Sequence, residues 1–251
     1  MTADKPKLYG AMRQPRRSAV FVWFVGASIV TLVVWANVAP YVNFLKLQSR
    51  RNQLVALRLA IHSYHDGFGC FPPAVVYDEA ASPMHSWRVL ILPFLAEYLG
   101  EEEAQVREDL IRYRFNEAWN SPHNAKLFQG TRIDGAFPYL AVVGDRTIWP
   151  RNGAVSLKDI ADGTSRTMMV LELAESDVRF TEPRDVRLMG GSLILPKRDG
   201  TQETVAFNTR RFVALCDGSI THLPTSNESA AIPQEVIEMA ITNDVRPEGP
   251  F

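Results

Sequence analysis

The stretch 41-YVNFLKLQSRRNQLVALRLAIHSYHDG-67 repeats apolar side chains at the spacing of an α-helix. Phe44, Leu47, Leu54, Leu57, Ile61 and Tyr64 recur at threes, fours and sevens, while Arg50, Arg51 and Arg58 fall elsewhere on the cylinder. Gly67 and Gly69, followed by Phe71-Pro72-Pro73, stop it, because proline has no amide hydrogen to continue the ladder. Upstream, Ala19 to Ala36 (AVFVWFVGASIVTLVVWA) carries no charge, and the next charged residue is Lys46. A helix needs about 20 apolar residues to cross a bilayer core, and this run with its continuation reaches that length. A cleaved signal has a shorter apolar region, about 7–15 residues, ending at a small-x-small site. Here the run is longer, holds Trp23 and Trp35 near its ends and leads into Pro40, where a kink is expected.

The sequence therefore predicts a basic N-terminal tail over 1–18, an uncleaved transmembrane helix over 19–39 and a domain over 40–251. One long helix runs from lipid into water. Arg16 and Arg17 abut the apolar run, whereas Lys46 lies ten residues beyond Ala36. Positive charge close to the span holds the N-terminus inside. The predicted location is the cytoplasmic membrane, single-pass, with the following domain in the periplasm.

At 251 residues with 46% hydrophobic and 22% charged, the chain suffices for one substantial domain plus extras. A formal net charge of -1 excludes any general attraction to nucleic acid. Cys70 and Cys216 fit no zinc or redox spacing and read as buried free thiols, with a disulfide between them as the alternative.

Beyond the first helix, SWRVLILPFLAEYLG (86–100) reads as a short helix or buried segment interrupted by Pro93, and EEEAQVREDLIRYRF (101–115) as a second helix with acidic residues at its positive end. After about residue 137 the texture changes. FPYLAVVG, TMMVLELAES, TVAFN and RFVALCDGSITHL are short, rich in β-branched and aromatic residues, and divided by Gly, Pro, Asp and Asn. PQEVIEMAITND closes the pattern as a helix opening at Pro233. Helices first and strands later indicate an α+β fold with an antiparallel sheet. Asp217-Gly218 is expected to close a two-residue hairpin turn, with Val213 and Leu215 on the buried face.

These pieces, in order, resemble one family. LRLAIHSYHD (57–66), FPP (71–73), SWRVLILPFL (86–95), WNSPHN (119–124), YLAVVG (139–144), IADGTS (160–165) and DGS (217–219) look like the motifs of the planctomycete pilin-like family containing DUF1559. The resemblance implies a type IV pilin-like plan: an N-terminal helix packed on an antiparallel sheet and displayed at the cell envelope. It further implies partners among other pilin-like or secretion-system envelope proteins. This chain departs from the family in having RQPRRSAVFVWFVG (13–26) in place of the prepilin cleavage motif. Phe207 stands where the family has a histidine ten residues before the Asp-Gly turn.

Two imidazoles and a carboxylate, His62, His65 and Asp66, are the sharpest chemical candidates. They lie close enough to share a helix face and bind a metal with a third ligand from His85, His123 or His222. The spacing lacks the glutamate of a zinc-protease motif, and histidines suit the negative C-terminal end of a helix. Asp162 to Ser165 lack a nucleophile elbow and read as a turn, and Ser121-Pro122-His123 reads as a capped turn. The leading expectation is a membrane-anchored, non-enzymatic envelope protein acting through protein contacts, with no catalytic, cofactor-binding or metal residue. The alternatives are a metal-dependent hydrolase using His62 and His65, and a ligand-binding sensor ectodomain.

Overall fold

The computed structural model describes residues 47–251 apart from 99, 101–102, 132, 208, 226–231 and 242–251. The chain divides into two units, Met1–Arg50 and Arg51–Phe251. In the first, residues 47–50 are described and are helical. The predicted tail and membrane span, 1–39, lie outside the described residues. Among the described residues no helix is long and apolar enough to cross a membrane.

The second unit is α+β. Helix α1 covers residues 51–68. Leu54, Leu57, Ala60 and Ile61 are its buried stripe, in the three-and-four spacing read from the sequence. Removing each larger side chain from water contributes about 1.5–3 kcal/mol. Leu47, in the first unit, is instead exposed, and Phe44 lies outside the described residues. A hairpin of β1 (Val75–Tyr77) and β2 (Pro83–Ser86) leads into α2 (Trp87–Leu95). Ser86 caps α2, its hydroxyl accepting from the Arg88 amide at 3.2 Å. The expected interruption at Pro93 does not occur: the helix continues to Leu95, with Pro93 on the exposed side of its last turn. Helix α3 (Glu103–Arg112) follows with Glu103 in its first turn.

Besides the two-stranded β1–β2 hairpin, the described residues form two four-stranded sheets. The first has the order β10-β9-β5-β3, from Ile220–His222, Phe212–Leu215, Met168–Glu172 and Tyr139–Leu140, and every pair is antiparallel. The second has the order β4-β6-β7-β8, from Val142–Val143, Val186–Met189, Ser192–Pro196 and Gln202–Thr204. It is mixed rather than antiparallel, because β4 pairs parallel with β6. The expected strand FPYLAVVG is thus divided between the sheets, and most of TVAFN lies beyond the end of β8. Helix α4 (Gln234–Ala240) closes the unit after Pro233.

Strand β9 shows how the layers are held. It is buried on both faces, not one. Phe212 and Ala214 join the core containing α1, Trp87, Ile91 and Leu92. Val213 and Leu215 join a second core with Val186, Leu193 and the α4 residues Val236 and Ile237. A period-two alternation places successive side chains on opposite faces, so this one strand serves two cores.

The turn after β9 also differs from expectation. Gly218 accordingly takes φ +84°, but Asp217 does not take positive φ. The Gly218 amide donates to the Leu215 carbonyl at 2.9 Å and the Leu215 amide to the Ser219 carbonyl at 2.9 Å. Cys216, Asp217 and Gly218 therefore form a three-residue loop, a turn followed by a left-handed glycine. The two-residue turn sits elsewhere, at Gly190-Gly191 between β6 and β7, where both glycines have positive φ and Met189 faces Ser192.

Candidate functional site

The last turns of α1 bring His62 and His65 against two different parts of the domain. A Cβ placed on Gly218 would lie 3.5 Å from His62 Nε2 and 2.7 Å from Arg58 Nη1, so the Asp217-Gly218 turn sits directly on this helix face. The His62 Nε2 and the Arg58 Nε are buried and have no hydrogen-bond partner among the described residues. His65 faces the 156–159 turn. Its Nε2 accepts from the Leu157 amide at 3.2 Å and lies 3.4 Å from Ser156 Oγ. An imidazole nitrogen that accepts carries no proton, so Nδ1 holds it, 3.8 Å from Asp66. His65 thus ties the end of α1 to a short helical turn (Leu157–Asp159), assisted by the Phe71 amide donating to Val155 at 2.8 Å.

The other histidines are occupied separately. His85 is buried, with Nδ1 accepting from the Tyr113 hydroxyl at 2.8 Å and Nε2 donating to the Phe115 carbonyl at 2.9 Å. His123 donates to the Arg112 carbonyl at the end of α3, at 2.9 Å. His222 stacks on Phe212 with ring centres 4.3 Å apart. Among the described residues, no group of three or more His, Cys, Asp or Glu side chains is arranged to hold a metal. Cys216 is buried and Cys70 half-buried, both as free thiols, and burial pushes the Cys216 thiol up. Asp162 to Ser165 form a turn at Gly163, whose carbonyl accepts from Thr167 Oγ1 at 3.1 Å. Ser121 Oγ accepts from the Asn124 amide, as a capped turn requires.

Burial lowers the His62 pKa, helped by the neighbouring Arg58 charge and opposed by Asp66 and Asp217. The unfolded chain takes up a proton near 6.5 that the folded one resists, so stability is complete above that pH and is lost as pH falls through it. Replacing His62 with glutamine should flatten the fall in melting temperature between about pH 7.5 and 5.5. His85, also lowered by burial, and Asp185, raised by burial, are common to both proteins and cancel in the comparison. Parallel melting curves across that range would show that His62 titrates alike in both states.

The most heavily bonded polar centre joins the motifs of 86–88 and 139–143. Arg88 and Asp185 form an ion pair at 2.8 Å with side-chain exposures of 0% and 1%. Arg88 also donates to Ser86 Oγ and to the carbonyls of Arg184 and Glu182, and lies 5.0 Å over the Trp87 ring. Asp185 Oδ1 accepts further from the Ala141 amide at 2.8 Å and the Trp87 indole at 3.3 Å. Burial pushes the Asp185 carboxyl up to about 6, against the pull of Arg88 and the Ala141 amide. Burial lowers Arg88 too, but from so high a starting point that the pair is ionic at neutral pH. Beside it, Glu182 receives Arg184 at 2.7 Å and Arg198 at 2.6 Å. Asn124 is a second hub, accepting from the Arg114 amide and donating to the carbonyls of Arg114, Glu117 and Ala118. Sequence reasoning missed Asp185 and Glu182: in TEPRDVRL they stand among charges and look solvated.

The described unit is therefore an α+β domain, with α1 packed on one face of the antiparallel sheet and α4 in the core on the other, and with His65, His85 and His123 bonded to separate groups. Residues 48–142 match the family model described as protein of unknown function (DUF1559), a match that supports the DUF1559 resemblance over that stretch. The resembling motifs at 160–165 and 217–219 lie beyond the matched stretch. No curated protein and no solved structure matches the chain.

Proposed function

We propose that this is a membrane-anchored envelope protein of pilin-like or pseudopilin-like plan, acting through protein contacts rather than catalysis. The observation that carries the reading is the packing of Leu54, Leu57, Ala60 and Ile61 of α1 into one core with Met169, Val170 and Ala214 of the antiparallel sheet. In sequence, that helix follows the uncharged run Ala19 to Ala36. The reading places the N-terminus inside, the span in the cytoplasmic membrane and the domain in the periplasm, where its partners are other envelope proteins. The bonding of His65, His85 and His123 to separate groups supports contact rather than metal chemistry as the domain's work.

A charge at the centre of a span costs about 2.5–3.5 kcal/mol on insertion scales, so an uncharged run is retained by lipid. Alkaline carbonate washing of membranes should leave the full-length protein in the pellet. Its release into the supernatant, or a mature N-terminus beyond residue 36, would overturn the anchor. Crosslinking in intact cells should capture envelope proteins on the domain. A purified domain that hydrolyses ester or peptide substrates, with the activity lost in His62→Ala/His65→Ala, would overturn the non-catalytic reading.

A further inference from the structure

A groove of about 570 Å³ opens between the β1–β2 hairpin and the β4–β6 side of the mixed sheet. Small-molecule sites have volumes of about 300–1,000 Å³, mostly apolar walls and a few placed polar groups. This groove has that composition. One wall is Val75, Tyr77, Pro83 and Val143, with Tyr77 46% exposed. The polar wall carries Arg151, Asn152, Arg184 and Arg187. Its one carboxylate, Asp185, turns its charge to Arg88 and is almost wholly buried.

The arginines differ in what they have left to give. Arg187 is exposed on β6, and among the described residues it has no acidic partner. Among the described residues Arg151 has Asp145 as its one acidic partner, at 3.7 Å with both side chains mostly exposed. Such an exposed pair contributes little and yields readily to a better partner. Arg184 is fixed by Glu182, Asp177 and the Pro196 carbonyl, so its charge stands in place behind the groove wall. The guanidinium fork matches the two oxygens of a carboxylate or the edge of a phosphate.

We propose that this groove binds a small organic anion, a carboxylate or phosphate on an apolar frame. Arg187 and Arg151 take the oxyanion, with Arg184 behind them, and Tyr77, Pro83 and Val143 receive the frame. The site does not depend on the membrane anchor or on the pilin-like plan.

The test is calorimetric titration of the purified full chain in detergent micelles, with phenyl phosphate, benzoate and inorganic phosphate as separate probes. Saturable one-to-one binding of phenyl phosphate or benzoate is expected, and the tighter of the two identifies the oxyanion. Arg187→Gln and Arg151→Gln should each weaken it by about tenfold, the loss typical of a charge-assisted contact. Tyr77→Ala, in an exposed hairpin, should weaken the aromatic probes and leave inorganic phosphate unchanged. Melting curves of the unliganded variants, equal to wild type, establish that each is folded; a glutamine variant that melts lower is replaced by lysine at the same position, which keeps the charge, removes the guanidinium fork and should still weaken binding. The proposal is overturned by no saturation up to about 10 mM, tenfold beyond a weak dissociation constant of about 1 mM. Equal affinity in Arg187→Gln and wild type, or inorganic phosphate binding as tightly as phenyl phosphate, would overturn it too.

Discussion

Arg88→Met is expected to lower the stability of the domain by about 3–5 kcal/mol, the range seen when one member of a buried ion pair is removed. At this domain size that is a fall of roughly 6–20 °C in melting temperature. Methionine fills much of the space, so the loss is electrostatic: Asp185, 1% exposed, keeps the Ala141 and Trp87 donors and loses its cation. The sign of the pH dependence separates this from a packing defect. Without Arg88 the Asp185 carboxyl, already raised to about 6 by burial, rises further. The folded variant then holds a proton that the unfolded chain releases near 3.8, so its stability gains as pH falls. The deficit of Arg88→Met relative to wild type should therefore shrink between about pH 7 and 5. A deficit constant over that range would mean that the stranded carboxylate is not its cause.

Gly218→Val should be the most damaging change at the α1–hairpin contact. Gly218 is buried at φ +84°, a conformation that a β-branched side chain rarely adopts. Strain of this kind costs of order 1–3 kcal/mol. The new Cβ would also stand 2.7 Å from Arg58 Nη1, although the end of that long side chain can move aside at little cost. The backbone therefore dominates, and the melting temperature should fall by roughly 2–12 °C. Ser219→Ala is the control: the Ser219 amide, not its hydroxyl, bonds Asp217 Oδ1 at 2.8 Å, so little should change. If Gly218→Val melts like wild type, the left-handed turn does not hold this corner together.

Local patterns were readable from the sequence where the physics is local. The three-and-four spacing of Leu54, Leu57 and Ile61 is a property of one helix, and those residues are buried as expected. The strands Met168–Glu172, Phe212–Leu215 and Ile220–His222 follow from apolar runs between turn residues, and α4 follows Pro233. Turn chemistry was harder. Asp-Gly and Gly-Gly both permit hairpins, but whether the loop has two or three residues depends on the register of the strands they join. That register assigned the two-residue turn to Gly190-Gly191. The double burial of β9 was likewise hidden, because alternation of apolar with apolar residues cannot say that two cores exist.

The polar centre was beyond local reading altogether. Asp185 meets Arg88 across 97 positions of chain and Ala141 across 44. The groove gathers residues from 74 to 196. The amino-acid order alone settled the helix, its buried stripe, the α+β class, the uncharged run before it and the DUF1559 motifs, because each is a regularity over neighbouring residues. Which charges are buried together, which histidine faces which turn, and where arginines line a cavity were decided only by the packed domain. A side chain's solvation is set by the atoms that fold against it, and those come from far along the chain.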